Sequence, residues 1–201
     1  MTMQATLATA RPKVKKRPLP KPLHDGETMS LETFLEFKAE DGFKYEWNNG
    51  LLESNLYAMK TSELLVVARL QEAFRETLAG RSGGLLMAET KVVFPSRTRG
   101  RIPDLAFFTR EQLIAAHKGE NPIPTFIIEL VSQTDRFKYY DEKLEEYFSV
   151  GVQTVWLMDR EKKRIWVFDS PKTAKICTGD DVCSAAPAIA DFTITPNELF
   201  G

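Results

Sequence analysis

Three stretches decide the fold: Arg101-Ile-Pro-Asp-Leu-Ala-Phe-Phe108, Thr125-Phe-Ile-Ile-Glu-Leu-Val131, and the run from Asp135 to Gly151. The first two are apolar runs of strand length, and the third carries apolar residues at helical spacing. Pro103 lacks an N–H, which suits a strand's first position or an edge. Residues 126–131 are apolar apart from Glu129, the pattern of a strand covered on both faces. Each strand thus carries one acid, Asp104 or Glu129. A lone carboxylate there is costly unless it is paired, neutralised or bound to a cation. For one acid, pairing with a base such as Arg101 would suffice. For two acids on neighbouring strands, a shared cation is the reading we favour.

At about 100° per residue, Phe137, Tyr140, Leu144, Tyr147 and Phe148 form one stripe of the helix. Lys138, Glu142, Glu145 and Glu146 fall on the opposite side. Lys143 sits at the border, about 40° from both Tyr139 and Tyr147. A lysine among tyrosines is partly desolvated, which is expected to lower its pKa. The alternative is a lysine that buries its stem and keeps its head in water. Two acids and a lysine on adjacent elements point to a metal-dependent phosphodiesterase site.

Upstream, Ser30 to Phe37 predicts a short helix capped by Ser30. Phe43 to Trp47 and Leu51 to Tyr57 flank Asn48-Asn49-Gly50, a hairpin signal because Asn and Gly tolerate positive φ. Alternation puts Glu46 on the face of Lys44, opposite Tyr45 and Trp47. Thr61 to Leu78 predicts an amphipathic helix burying Leu64, Val67, Ala68, Leu70, Ala73, Phe74 and Leu78. Two strands, or one bent strand, are expected at 85–88 and 91–94, followed by a basic turn holding Arg97, Arg99 and Arg101. Downstream, a helix is expected over 110–118 and a strand pair over 154–159 and 163–169. Short strands should follow near 175–177 and 192–194, with a closing turn at 197–200.

The 201 residues, 43% apolar and 27% charged, suit one soluble domain with a real core. No run reaches the ~18 apolar residues of a membrane helix. Two cysteines, Cys177 and Cys183, are too few for a disulfide framework, so a reduced, cytoplasmic setting is expected. Residues 1–28 read as a disordered, basic, Pro-rich tail, and 29–201 as a single domain. Removing the six basic residues of positions 1–22 from a net charge of −1 leaves −7 for the remainder. The folded part is therefore acidic, which counts against strong non-specific nucleic-acid binding by the core. The tail itself reads as a solubilising extension or as an arm touching phosphates. No Ser-His pair suggests a small-molecule hydrolase, since His24 and His117 are the only histidines.

Asp104 and Glu129 in their strands, Asp135-Arg136, Lys143-Leu-Glu-Glu-Tyr147 and Gly151-Val-Gln-Thr-Val-Trp-Leu-Met-Asp159 together resemble the Uma-two family of restriction-endonuclease-like proteins. That family lies within the PD-(D/E)XK nuclease superfamily. The likeness extends upstream to Met29-Ser-Leu-Glu-Thr-Phe34 and Lys44-Tyr-Glu-Trp-Asn-Asn-Gly50, covering roughly 29–200. It implies an α/β, restriction-endonuclease-like core with a central mixed β-sheet flanked by helices 61–78 and 135–150. It also implies a Mg²⁺- or Mn²⁺-dependent DNA endonuclease, and a homodimer is the expected assembly. Asp104, Glu129 and the Leu130 carbonyl would hold the metal, with Lys143 positioning a water or neutralising charge. Arg97, Arg99, Arg101 and Tyr147 become candidate DNA contacts.

Val131 stands where the superfamily's lysine usually follows the strand acid by two residues, so Lys143 would replace it. Gln133 stands where a Pro often follows Ser132, and Glu63 where the long helix often opens on a His. The third acid stays open between Glu46 and Glu63. The rival reading is a homodimeric module that keeps the nuclease scaffold and binds nucleic acid or protein without cutting.

Overall fold

The computed structural model describes residues 21–55, 61–96, 98–131 and 137–201. Arg97, the Asp135-Arg136 pair, Ser132 and Gln133 lie outside these, as do residues 1–20 of the tail and 56–60 beyond the hairpin.

The described residues open with a strap. Gly26 N–H donates to the Leu52 carbonyl, Leu52 N–H to Glu27, and Met29 N–H to Gly50. Sequence alone put residues up to 28 in the tail. The edge of a strand offers unpaired backbone groups, and residues 26–29 take them up.

Helix α1 (Leu31–Glu36) begins where Ser30 Oγ accepts from Thr33 N–H, and it buries Leu31 and Phe34. At its far end Lys91 Nζ donates to the carbonyls of Phe34, Leu35 and Phe37 at 2.6, 2.9 and 2.8 Å. The hairpin β1 (Lys44–Asn48) and β2 (Leu51–Asn55) turns at Asn49 and Gly50, both at positive φ as expected. A 3-10 turn, Thr61–Glu63, leads into α2 (Leu64–Arg75).

The predicted helix over 61–78 stops earlier than expected. Thr77 turns extended, donates to the Phe74 carbonyl, and caps the short α3 (Leu78–Arg81). The buried face is Val66, Val67, Leu70 and Phe74, while Leu64, Ala68 and Leu78 are exposed. The apolar spacing was right in period and shifted in phase.

Then follow β3 (Leu85–Ala88), β4 (Val92–Val93), β5 (Arg99–Arg101), β6 (Leu105–Phe108), α4 (Arg110–His117), β7 (Phe126–Leu130) and α5 (Phe137–Ser149). The chain closes with β8 (Thr154–Asp159), β9 (Arg164–Ser170), β10 (Thr173–Thr178), β11 (Cys183–Ser184), β12 (Thr193–Ile194) and α6 (Pro196–Phe200).

A six-stranded sheet runs β10-β9-β8-β7-β6-β3, and a four-stranded one runs β2-β1-β5-β4. In the larger sheet β7 and β8 are parallel, joined through α5, while the other pairs are antiparallel. A parallel pair needs such a crossover. Phe126 and Ile128 of β7 share a core with α2, Trp156 and Phe192, whereas Ile127 shares the opposite core with Tyr140, Leu144 and Tyr147 of α5. The mixed sheet is thus flanked by α2 and α5 on its two faces. A third core lies on the α1 side of the smaller sheet, where Phe34 meets Tyr45 and Trp47.

Pro103 falls between β5 and β6, where the chain passes from the small sheet to the large one and its missing N–H interrupts no ladder. Gly100 of β5 faces Phe34, and a Cβ there would lie 2.6 Å from Phe34 Cε1. Phe34 is fully buried and cannot step aside. Gly100→Ala should therefore cost about 1–3 kcal/mol by overpacking, read as a lower urea midpoint at unchanged m-value.

Candidate functional site

Strand register brings the acids together. Leu105 pairs Ile128 across β6 and β7, so one further step sets Asp104 opposite Glu129, on the same face. Leu130 N–H donates to Asp104 Oδ2 at 2.7 Å, which ties that carboxylate to the peptide following Glu129. In the small sheet Trp47 pairs Gly100, so the next step sets Glu46 opposite Arg101. Lys44, Glu46 and Arg101 thereby face away from the α1 core and toward Asp104, Glu129 and α5.

Lys44, Glu46, Arg101, Asp104, Glu129 and Lys143 are all buried. Lys44 Nζ lies 2.6 Å from Asp104 Oδ1. Lys143 Nζ lies 3.0 Å from Glu129 Oε1 and 3.0 Å from Glu46 Oε1. Arg101 Nη1 reaches Glu46 Oε2 at 2.6 Å, and Ile102 N–H donates to Glu46 Oε1. Arg101 also holds Glu146 Oε2 at 2.6 Å, and Arg99 Nε holds Glu146 Oε1 at 3.0 Å. Tyr147 OH donates to Glu129 Oε1 at 2.6 Å.

The two glutamates respond in opposite directions. Burial pushes the Glu46 carboxyl up, but Lys143, Arg101 and Lys44 outweigh it and bring it down to about 2. Glu129 is raised, because burial dominates, its share of Lys143 is incomplete, and Asp104 adds a like charge. Burial acts to lower Lys143, yet Glu129 and Glu46 hold its ammonium above the usual lysine range. The expectation of a lowered lysine pKa is thus corrected: the tyrosines desolvate it, and two carboxylates more than compensate. Tyr147 is pushed well up by burial, then by Glu129 and Glu46, so its phenol stays a donor.

Asp104 pairs with Lys44, which the sequence reading did not place in the site, and not with Arg101. Shared alternation with Glu46 was the only local hint of Lys44's direction. Lys143 is 2% exposed, so its head is not in water. Glu146, assigned to the solvent side of α5, bends inward to Arg99 and Arg101. Arg101 is 3% exposed and Tyr147 fully buried, so both side chains lie inside the protein. Arg99 remains partly exposed. Glu46 lies beside Lys143, while Glu63 stands in the turn before α2.

The Uma2 family model, described as "Putative restriction endonuclease", matches residues 31–197. The chain belongs to this family. Among solved structures, one described as "a putative nuclease belonging to DUF820" from Anabaena variabilis is similar, with a TM-score of 0.69 at 14% identity. The match covers 86% of this chain and 97% of that one, and it shows a shared fold. No curated protein matches the chain. No described helix is long and apolar enough to cross a membrane.

Membership of Uma2 raises the question of a divalent ion. Among the described residues no three His, Cys, Asp or Glu side chains converge as a metal group. Two carboxylates in register remain, and with the expected Leu130 carbonyl they make an all-oxygen set suited to a hard cation. Mg²⁺ commonly uses one or two carboxylates and keeps several waters, so this smaller set fits. The Glu129 carboxyl is raised because burial and the like charge of Asp104 outweigh Lys143 and Lys44 there.

Proposed function

We propose that the protein is a Mg²⁺- or Mn²⁺-dependent endonuclease that hydrolyses phosphodiester bonds in DNA. The observation that carries this reading is the meeting of Asp104, Glu129 and Lys143 in one buried cluster, with Leu130 N–H on Asp104 and Lys143 Nζ 3.0 Å from Glu129. Asp104, Glu129 and the Leu130 carbonyl would hold the ion, which would supply charge neutralisation at the phosphoryl oxygens and a more acidic water.

The chain's own groups do the positioning. Leu130 N–H and Tyr147 OH each fix one carboxylate oxygen, so the acids keep their orientation before substrate arrives. Lys143 stays protonated, so it acts as a donor, orienting water or meeting a non-bridging oxygen, and does not serve as a base. Glu46 anchors that ammonium from the far side and completes the catalytic set as a positioning residue. Arg99, at the exposed end of the cluster, is the described candidate for a DNA backbone contact. Cutting both strands calls for two such sites, which a homodimer would supply.

A second reading is favoured by the ion pairing of both acids: a nuclease scaffold, also homodimeric, that binds nucleic acid or protein without cutting. Incubation of supercoiled plasmid with Mn²⁺ separates the two. The endonuclease reading expects nicked and linear product from the wild type and none from Asp104→Ala. Cleavage that survives Asp104→Ala removes this site, and no cleavage with any divalent ion favours the binding module.

A further inference from the structure

We propose that Lys44 is an internal counter-ion that competes with the divalent cation for Asp104 and so sets how tightly the metal binds; this rests on the nuclease reading above. Lys44 is not a surface lysine that happens to lie near an acid. It is 9% exposed, sits in β1 between β2 and β5, and holds Asp104 Oδ1 at 2.6 Å.

The buried cluster is already neutral. Glu46, Asp104 and Glu129 are matched by Lys44, Arg101 and Lys143, three charges against three. A divalent ion added to that balance leaves two positive charges in surplus in a poorly solvated space. Something positive must yield, and the connectivity identifies it. Lys143 is shared by Glu129 and Glu46, and Arg101 by Glu46 and Glu146. Within this cluster Lys44 makes one direct ion pair, to Asp104, with Glu129 acting on it from farther off, and that pair lies on a carboxylate that the metal would need.

The consequence is a site that discourages metal when idle. A released Lys44 ammonium needs another anion, and the phosphate of a bound substrate is one. Metal loading would then be favoured by substrate, because a cation competing for Asp104 lowers the apparent metal affinity by the fraction of sites it occupies.

The test is Mn²⁺ binding to the full chain without nucleic acid, followed by the electron paramagnetic resonance signal of free Mn²⁺. Lys44→Met and Lys44→Gln should each bind Mn²⁺ at least tenfold more tightly than the wild type. Lys44→Met with Asp104→Asn, which removes both charges, should fold and lose the binding. Near-ultraviolet circular dichroism checks that each variant is folded, and the Gln variant serves where Met does not fold. Equal or weaker Mn²⁺ binding by folded Lys44 variants overturns the role of Lys44 and leaves the nuclease reading standing. Absence of Mn²⁺ binding in the wild type and in every Lys44 variant overturns the metal site itself, and this inference with it. Binding seen only in the Lys44 variants supports the competition in its strongest form.

Discussion

Glu46→Gln should destabilise the protein by about 3 kcal/mol at neutral pH, and the melting temperature should fall by roughly 10 °C for a chain of this size. The size follows from the carboxyl itself. Its folded pKa of about 2 stands against an ordinary 4.5, and each unit of difference is about 1.4 kcal/mol. The group is buried, so solvent screening removes little of this. Gln keeps the shape and loses the charge that faces Lys143 and Arg101. The damage is not larger because Lys143 retains Glu129 and Arg101 retains Glu146.

The pH dependence has a definite sign. A carboxyl depressed on folding stabilises the protein above its unfolded pKa, and that contribution is lost as pH falls through the folded value. Wild-type stability attributable to Glu46 should therefore decline between about pH 4.5 and about pH 2, and Glu46→Gln should lack this component. Urea unfolding at a series of pH values reads both. A Gln variant as stable as the wild type at pH 7 would show that Glu46 is not the hub of the ion pairs.

Glu129→Gln should do the reverse to stability while removing activity. The Glu129 carboxyl is raised on folding, first by burial, so its ionised form is a burden to the fold above its unfolded pKa. That burden is relieved as pH falls through the folded value. A neutral isostere removes it, and the amide oxygen can still accept from Tyr147 OH and Lys143 Nζ. The melting temperature at pH 7 should rise. Cleavage should fall by about a thousandfold or more, because the ion and the water lose an oxygen ligand; removing one group that stabilises developing charge already costs about 10²–10³. Stability gained with activity lost is the mark of a functional burden. A fall in both would make Glu129 an ordinary structural ion pair.

The pairing of opposite signs within one cluster explains how far the sequence could be read. Period-two alternation in Lys44 to Trp47 placed Glu46 away from the aromatics, and the structure agrees because alternation is a property of the strand alone. Asn49-Gly50 set the hairpin for the same local reason. Helical spacing located α5 and brought Lys143 to its inner edge. The phase of α2 was less legible: Leu64 and Val66 are both apolar, and in the structure Val66 joins the core while Leu64 is exposed.

By itself, the sequence determined the hairpin, the α5 helix and the apolar strands that carry Asp104's neighbours and Glu129, since these depend on residues a few places apart; the expected basic turn instead ends in β5, and the stretch 101–108 is divided between two sheets. The tertiary structure decided which charges meet. Lys44 and Asp104 are 60 residues apart, Glu46 and Arg101 55, and Arg101 and Glu146 45. Their contacts arise only when the small sheet packs against the large one and α5 closes over both. Local periodicity carries no information about that distance, so the raised Lys143, the enclosed Arg101 and the inward Glu146 were consequences of the fold's assembly and not of any stretch of chain.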